Sequence, residues 1–216
     1  MIRLLSPARG SMTLWEGRSW IPCGAVSERS GISILSYNVL SDARVSFSNH
    51  FTSRNWDVRC RTLISEIRSY DADVICLQDV DHFDDWWRPQ LMLLGYDPVY
   101  KERTQLKDFH YEGIIVAYKS ELFQLFKTVS IEFNEAIEES TLYGSAFRER
   151  SKTDDVGILI FLQPWKEGYI NTAVCVGCAL LSDKEIDNEI RQVQCQYLTS
   201  QIELNNKEFQ GNSDHL

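Results

Sequence analysis

An apolar strand, an amphipathic helix and a second apolar strand follow one another between residues 32 and 78, and this order constrains the fold more than any other feature. "ISILSYNVLS" predicts a strand over residues 32–40, and the apolar run at residues 74–77 predicts a buried strand over residues 73–78. The intervening "NWDVRCRTLISEIRSYDAD" has the apolar spacing of an amphipathic helix, with Asn55 as a candidate N-cap. We therefore expect a crossover unit in which helices cover a sheet.

The helical stripe of this segment also assigns its faces. The expected inward residues are Val58, Leu63, Ile64 and Ile67, and the residues expected to face outward are Arg59, Arg61 and Arg68.

The rest of the chain contains more strands than helices. Further strands are predicted at residues 113–120, 122–133, 155–164 and 169–182, with an extended segment from residue 96, a turn at 165–168 and polar loops at 43–54 and 134–153. Helices are predicted at residues 84–94, ending at Gly95, and at 184–206. This composition of elements predicts an α/β fold in which a sandwich of sheets is flanked by helices. We divide the chain into an irregular N-terminal tail (1–31), one domain (32–206) and a polar C-terminal tail (207–216).

Net charge and hydropathy limit which classes of protein this chain can belong to. The 216 residues carry a net charge of -9, so the chain as a whole does not attract phosphate backbones, and a metal ion or a local basic patch would have to supply that attraction. Lys101, Arg103, Lys107 and Lys119 are candidates for such a patch, although a solvated surface is the commoner explanation. No apolar run approaches the roughly 18 residues of a membrane helix, so no membrane association is expected.

The six cysteines favour an intracellular protein with reduced thiols. Cys175 and Cys178 form a single C-x-x-C, but structural zinc needs four ligands and no second pair is present in the sequence, so buried strand thiols are the favoured interpretation. Arg3 and Arg9, without an acid before Glu16, faintly resemble a mitochondrial presequence. We therefore expect a cytoplasmic or mitochondrial location.

An unusual number of acids follows the strand at residues 73–78. Asp79, Asp81, His82, Asp84 and Asp85 lie within "QDVDHFDDWW". They indicate either a metal site at the end of the strand or a solvated acidic loop. Asp84 can cap the following helix, where acids face a favourable dipole, and His82 is assigned to the loop.

The order of several motifs resembles the endonuclease/exonuclease/phosphatase superfamily, and within it the Angel, nocturnin and carbon-catabolite-repressor deadenylase group. The motifs are "SYNVLS", "DADVICLQDVDHF", "LGYDPVYKERT", "EGIIVAYK", "DVGILIFLQP" and "RQVQCQYL", and together they cover about residues 33–204. The resemblance implies an αββα sandwich that binds one or two magnesium ions at the sheet edges and hydrolyses phosphodiester bonds, typically of RNA from its 3′ end. Carboxylates would hold the ion, which polarises the phosphoryl oxygen and activates water.

The motif positions match this group only in part. Asn38 stands where the resemblance implies an active-site asparagine, while Asp79 replaces a metal-binding glutamate and Glu112 replaces an aspartate. The family's "Asn-Thr-His-Leu", whose Asn and His act on the phosphate, aligns with "GCAL" at residues 177–180. Neither Cys178 nor Ala179 donates comparable hydrogen bonds, so the resemblance implies a weakened site.

The last residues depart further from the family pattern. A "Gly-Asp-Phe-Asn" motif is expected after the last helix, but the chain reads "EFQGNSDHL". "GNSD" resembles a degraded form of that motif, and "SDHL" resembles the family's terminal "Ser-Asp-His", which makes Asp214 and His215 candidate catalytic residues. On either interpretation we expect a sandwich that is incomplete on its C-terminal side, and either a protein partner that covers it or a chain that is unstable alone.

Two functional hypotheses follow. The favoured one is a pseudo-nuclease that keeps the fold as an RNA-binding or protein-binding module, because "GCAL" removes phosphate-binding groups. The alternative is an active magnesium-dependent RNA exonuclease or phosphodiesterase. Its candidate residues are Asn38, Asp214 and His215 for catalysis and Asp79 and Glu112 for Mg²⁺.

Overall fold

Two β-sheets pack face to face, and helices lie on the outer face of each. The computed structural model describes residues 31–47, 55–103, 112–140, 143–165, 173–182 and 188–213. The first sheet has the strand order β1-β2-β4-β3 and the second has the order β5-β6-β7. The strands are β1 (Ile34–Asn38), β2 (Val74–Val80), β3 (Tyr96–Glu102), β4 (Gly113–Lys119), β5 (Phe123–Glu132), β6 (Val156–Pro164) and β7 (Val174–Ala179). This arrangement confirms the αββα sandwich.

The helices are α1 (Asp42–Phe47), α2 (Trp56–Tyr70), α3 (Arg88–Leu93), α4 (Phe133–Glu139), α5 (Ser145–Arg150) and α6 (Asn188–Ser213), with a π-helical turn (Phe83–Trp87) directly before α3. α2 and α6 are the two long helices of the described residues, with 15 and 26 residues. Residues 166–168 of the predicted turn and residues 184–187 of the last predicted helix lie outside the described residues. α6 continues beyond residue 206, where the sequence predicts its end.

The predicted crossover unit is confirmed. β1 and β2 pair in parallel from Ile34 opposite Val74 to Asn38 opposite Gln78, and α2 connects them. The Asn55 side chain accepts a hydrogen bond of 2.8 Å from the backbone N–H of Asp57, so it caps α2 as expected. The parallel pairing brings the C-terminal ends of β1 and β2 to one edge of the sheet.

The inward face of α2 differs from the predicted stripe. Leu63 and Ile67 are buried against the first sheet, but Val58 is 55% exposed. Arg59 was expected to face outward, and that prediction is wrong: its guanidinium points towards the loop after β1. The polar partners it finds there come from a distant part of the sequence, which the helical period does not encode.

Three apolar layers stabilise the sandwich. The first lies between α2, α3 and the first sheet. The second lies between the two sheets, where β2 and β4 face β6 and β7. The third lies between the second sheet and α6, whose Tyr197, Leu198 and Ile202 pack on buried Leu159 and Phe161. Burial of apolar area in three layers is what favours this architecture over a single open sheet.

Two segments that the sequence assigns to loops contain helices. α1 overlaps the predicted loop at 43–54, and α4 and α5 overlap the predicted loop at 134–153. Val45 anchors α1, and Phe133 and Ile137 anchor α4, whereas α5 has no buried residue. A single anchor such as Val45 gives no period, whereas the four-residue spacing of Phe133 and Ile137 was a helical signal.

The acid-rich turn after β2 begins a helical segment, as expected, but Asp84 does not cap it. The residue at the N-cap is His82, in the left-handed region, and its side chain makes no capping hydrogen bond. Asp84 instead pairs with Arg88 one turn later, at 3.3 Å. Gly95 follows α3 with a φ of +85°, which confirms its predicted role at the helix C-terminus.

The two cysteines of the C-x-x-C motif lie on opposite faces of β7. Cys178 is buried between the sheets, and Cys175 faces the layer under α6. A spacing of three residues along a strand separates the two thiols in this way, so they do not chelate one metal ion. All cysteines of the described part are free thiols, and of this pair Cys178 is buried while Cys175 is half-buried, so the buried-thiol interpretation holds in full only for Cys178.

No helix within the described ranges combines the length and the apolar character that crossing a bilayer requires.

Candidate functional site

Three of the predicted site residues meet at one edge of the first sheet. Asn38 is the last residue of β1, Asp79 is the penultimate residue of β2, and Glu112 directly precedes β4. Parallel β1 and β2 end at the same edge, and antiparallel β4 begins there. The topology therefore brings together side chains that are up to 74 residues apart in the sequence.

Asp79 is held in an irregular part of its strand. The β2–β4 pairing shifts register between Leu77 and Val80, and Asp79 has a φ of +54°. Aspartate tolerates this left-handed conformation better than most residues, and bulges of this kind re-aim side chains near functional sites. The carboxylate is buried, with the residue 5% exposed, and its Oδ2 accepts a hydrogen bond of 2.7 Å from Asn38 Nδ2. The Asn38 and Asp79 side chains are thus in direct contact.

Glu112 is surrounded by donors from the protein. The residue is 3% exposed, and its Oε1 accepts a short hydrogen bond from Ser41 Oγ. Arg44 Nε lies 3.0 Å from Oε2 and 3.2 Å from Oε1, and Arg103 Nη1 lies 3.5 Å from Oε2. Both carboxylate oxygens are therefore engaged by side chains of this chain.

The Arg44 guanidinium lies between the two carboxylates. In addition to its contacts with Glu112, its Nη2 lies 3.9 Å from Asp79 Oδ1. Asp79 Oδ1 is buried and accepts no hydrogen bond. Arg44 is therefore the nearest positive charge on that oxygen, at ion-pair distance.

A second arginine extends the network to the other sheet. Arg103, at the end of β3, is 10% exposed at its side chain and pairs with Glu112 and with Asp155, which directly precedes β6. Gln194 of α6 donates to Asp155 Oδ2 at 2.9 Å and accepts from the backbone N–H of Ser182 at 3.0 Å. The polar cluster thus connects both sheets and the last helix.

Arg59 holds the loop that carries Ser41 and Arg44. Its Nη1 donates to the backbone carbonyls of Val39, at 3.1 Å, and of Leu40, and its Nη2 lies 3.5 Å from Asp42. The backbone N–H of Asp42 in turn donates to Asp81 Oδ2. These contacts fix the start of α1, so Arg44 is placed by its backbone as well as by its charge.

His82 has its own partners in the loop, as expected. Its ring stacks on Trp56 with centroids 4.5 Å apart, and its Nδ1 lies 2.9 Å from Asp85. The acids after β2 therefore divide into two groups: Asp79 belongs to the carboxylate cluster, while Asp84 and Asp85 pair locally.

The end of β7 presents little polar chemistry. Gly177 and Ala179 face the α6 layer, and the Cys178 thiol lies between the sheets, 3.2 Å from Gln78 Nε2. The neighbouring Cys178 thiol and burial hold the pKa of Cys76 well above its ordinary value. Within the described part of this strand end, the side chains are thus apolar or thiol groups.

The predicted site residues and the residues found at the cluster are not the same set. Asp214 and His215 lie outside the described residues, so their predicted catalytic roles stay predictions. Ser41, Arg44, Asp155 and Gln194 were not predicted for the site. The described members of the suggested basic patch are paired with acids: Lys101 with Glu132, Arg103 with Glu112 and Asp155, and Lys119 with Asp71 and Asp73.

The magnesium ion implied by the resemblance does not fit this arrangement. Mg²⁺ requires oxygen ligands in octahedral geometry, some of which are waters. Over the ranges that the structure covers, no group of three or more His, Cys, Asp or Glu side chains is arranged to hold a metal ion. The two carboxylates present, Asp79 and Glu112, already bind a guanidinium group.

Comparison with known proteins identifies the relatives of this chain. The Endonuclease/Exonuclease/phosphatase family matches residues 35–212. Protein angel homolog 2 of Bos taurus is 29% identical over an alignment of 188 positions, which covers 83% of this chain and 32% of that relative. The CCR4-Not complex 3'-5'-exoribonuclease subunit Ccr4 of Yarrowia lipolytica is 31% identical over an alignment of 115 positions, which covers 47% of this chain and 16% of that protein.

A solved structure agrees with these matches. The crystal structure of ANGEL2, a 2',3'-cyclic phosphatase, in complex with adenosine-2',3'-vanadate superposes with a TM-score of 0.64 and 28% sequence identity. The superposition covers 79% of this chain and 47% of ANGEL2. The chain therefore spans about a third of the length of the curated angel homolog and about half of the solved one.

Proposed function

Because this chain belongs to the Endonuclease/Exonuclease/phosphatase family, whose nucleases generally use a divalent metal ion, we propose that it is a pseudo-nuclease. In this proposal the sandwich is kept as a binding module, and hydrolysis of phosphodiester bonds is strongly impaired. The activity of the longer relatives is not transferred to it.

The observation that carries the proposal is the occupation of the carboxylate pair by protein cations. Glu112 binds Ser41, Arg44 and Arg103, and Arg44 also faces Asp79. In metal-assisted hydrolysis, carboxylates such as Asp79 and Glu112 would hold a divalent ion, which would polarise the phosphate and activate a water. A guanidinium has no exchangeable ligand position and does not lower the pKa of a bound water, so it does not replace that chemistry.

The end of β7 supports the same proposal. Gly177, Cys178 and Ala179 stand where the family resemblance implies phosphate-binding Asn and His residues. Losing one donor that stabilises developing charge lowers the rate by about a hundredfold or more. Two such losses together with an occupied carboxylate pair are consistent with a chain that has lost hydrolysis.

RNA is the proposed ligand class. The Yarrowia relative is named a 3'-5'-exoribonuclease subunit, and ANGEL2 is described with an adenosine-2',3'-vanadate. A protein partner is a second part of the proposal, because large apolar side chains such as Leu93 and Trp165 are more than half exposed. The free thiols of the described part support an intracellular location, in the cytoplasm or the mitochondrion.

One observation favours the alternative, an active magnesium-dependent RNA exonuclease or phosphodiesterase. Asp79 Oδ1 is buried without a hydrogen-bond donor, and a buried carboxylate oxygen of this kind is a ligand that a cation would satisfy. In this alternative Asn38, Asp79 and Glu112 would form the site, with Asp214 and His215 as further catalytic candidates.

The experiment is a hydrolysis assay with two RNA ends. The purified chain is incubated with a 5′-labelled oligoadenylate that ends in a 3′-hydroxyl, and with the same oligoadenylate ending in a 2′,3′-cyclic phosphate, in Mg²⁺, in Mn²⁺ and in chelator. ANGEL2 serves as the positive control for the cyclic end. We expect no metal-dependent shortening and no opening of the cyclic phosphate by this chain. Either reaction, if it is abolished by Asn38→Ala and by Asp79→Ala, rejects the pseudo-nuclease and supports the alternative.

A further inference from the structure

We infer that the Arg44 guanidinium is a built-in cation that takes the place of a divalent metal ion between Asp79 and Glu112 and excludes such an ion from the site. The inference rests on the proposed function because it concerns the same carboxylate pair. Its test measures metal binding and not hydrolysis, so each of the two can fail without the other.

The first step is the electrostatic demand of the two carboxylates. Asp79 and Glu112 are both nearly inaccessible to solvent and lie within reach of one side chain. Buried carboxylates that are not neutralised are strongly unfavourable, so a positive charge between them is required for a stable fold. In the superfamily pattern that charge would come from a metal ion. In this chain it is present as an arginine.

The second step is the geometry of Arg44. Its Nε lies 3.0 Å and 3.2 Å from the two Glu112 oxygens, and its Nη2 lies 3.9 Å from Asp79 Oδ1. One planar group therefore contacts both acids and supplies the positive charge that they share. An ion that bound the same oxygens would have to displace the guanidinium or lie against it, and like charges at such distances repel.

The third step is that Arg44 is held in place. The next residue, Val45, is fully buried, and its N–H donates to the Ser41 carbonyl at 3.1 Å. Asp42 is tied to Arg59 and to Asp81. The side chain of Arg44 is 32% exposed, so a substitution there opens the pair to solvent without opening the core.

Arg103 does not fill the same role. Its guanidinium joins Glu112 to Asp155 across the two sheets, and its ion pairs among the described residues do not include Asp79. Among the described residues, removal of Arg44 therefore leaves Asp79 without a cation, while Glu112 keeps Arg103. Two buried carboxylates beside Asn38, with access for water, form an oxygen-rich site of the kind that Mg²⁺ and Mn²⁺ bind.

The test is a Mn²⁺ titration followed by the electron paramagnetic resonance signal of free Mn²⁺. We expect the wild-type chain to show no saturable site. Arg44→Gln should bind about one equivalent of Mn²⁺, at least tenfold more tightly than any residual binding by the wild type. Arg44→Lys, which keeps the positive charge, is expected to remain like the wild type. Adding Glu112→Gln to Arg44→Gln should abolish the gain, and Arg61→Gln, an exposed residue on α2, is the matched control.

Thermal unfolding in chelator and in Mn²⁺ supplies a second readout. Mn²⁺ should raise the Tm of Arg44→Gln and leave that of the wild type unchanged. A wild-type chain that binds one equivalent of Mn²⁺ and loses it on Asp79→Asn overturns the inference, and this outcome does not depend on any Arg44 variant folding. A folded Arg44→Gln that gains no Mn²⁺ site also overturns it. RNA hydrolysis by the wild type would reject the proposed function but would leave these binding results to be judged on their own.

Discussion

At the scale of single residues, Arg103 pairs with two buried carboxylates. Its guanidinium pairs with Glu112 and Asp155, and its Nε donates to the Asp154 carbonyl at 3.3 Å. Replacing one partner of a buried ion pair leaves an uncompensated charge and lowers the free energy of unfolding by about 3–5 kcal/mol. We expect Arg103→Leu to show a loss of this size in urea unfolding.

The matched control for Arg103 is Arg61→Leu. Arg61 is exposed on α2, and a change there should alter the free energy of unfolding by less than about 0.5 kcal/mol. If both variants unfold at the same urea concentration as the wild type, the buried network does not contribute to stability in the way the contacts indicate.

Cys175 provides a pH-dependent prediction. Burial raises its pKa to about 11 from the ordinary value of 9.0, so the folded chain keeps the thiol protonated where an unfolded chain would lose the proton. Only the thiolate reacts with iodoacetamide, so Cys175 should react slowly at pH 8 and about tenfold faster for each added pH unit up to its pKa. The same raised pKa means that any stability linked to this group is lost as the pH rises from 9 towards 11.

The measurement is peptide mass mapping after timed alkylation. Cys195, an exposed thiol on α6, is the internal control and should be alkylated first. Equal rates for Cys175 and Cys195 at pH 8 would contradict the assigned burial of Cys175.

At the scale of the elements, β3 and β4 leave no space for a side chain at Gly113. A Cβ at Gly113 would overlap the Lys101 carbonyl and lie 2.6 Å and 2.8 Å from ring atoms of Tyr100. Gly113 also directly follows Glu112, so relief of this overlap would move the carboxylate. We expect Gly113→Ala to lower the free energy of unfolding by about 1–3 kcal/mol, as overpacking does in tight sites.

Gly144→Ala is the matched variant for Gly113→Ala. A Cβ at Gly144 would meet no atom within 4 Å, and its φ is -71°. This variant should change the unfolding free energy by no more than about 1 kcal/mol, since only the preference at a helix N-cap is altered. Comparable losses in the two variants would argue against the close β3–β4 contact.

For the molecule as a whole, charge pairing bears on the RNA binding that the proposed function includes. The net charge is -9, and ion pairs with acidic side chains engage Arg44, Arg59, Arg88, Lys101, Arg103, Lys119, Arg150 and Lys152. Cations that are already paired with acids neutralise few phosphates, so few counterions are released from the RNA when it binds. We therefore expect RNA binding by this chain to depend weakly on salt.

Fluorescence anisotropy with labelled oligoadenylate tests this expectation. Two phosphate contacts correspond to a change in Kd of less than about tenfold between 50 and 200 mM salt, given a slope of roughly 0.7 per contact on single strands. A change of about a thousandfold would require many phosphate contacts and would contradict the prediction.

Much of the architecture was predictable because local patterns of apolar residues determine it. The apolar runs of β1, β2, β4 and β6 and the period of α2 and α6 predict their own conformation, and the order of motifs identifies the family. Asn38, Asp79 and Glu112 were also predictable, since each ends or precedes an apolar strand at a recognisable motif position.

The partners of those residues were not predictable in the same way. Ser41, Arg44, Arg103, Asp155 and Gln194 contact the cluster from separate elements, and Arg59 turns inward from a helix whose period assigns it to the surface. Their hydrogen bonds and ion pairs are made with residues tens of positions away, and local periodicity carries no information about such pairings. The family and its layers follow from short-range patterns of hydrophobicity, whereas the replacement of a metal ion by an arginine follows from long-range packing that brings distant charges together.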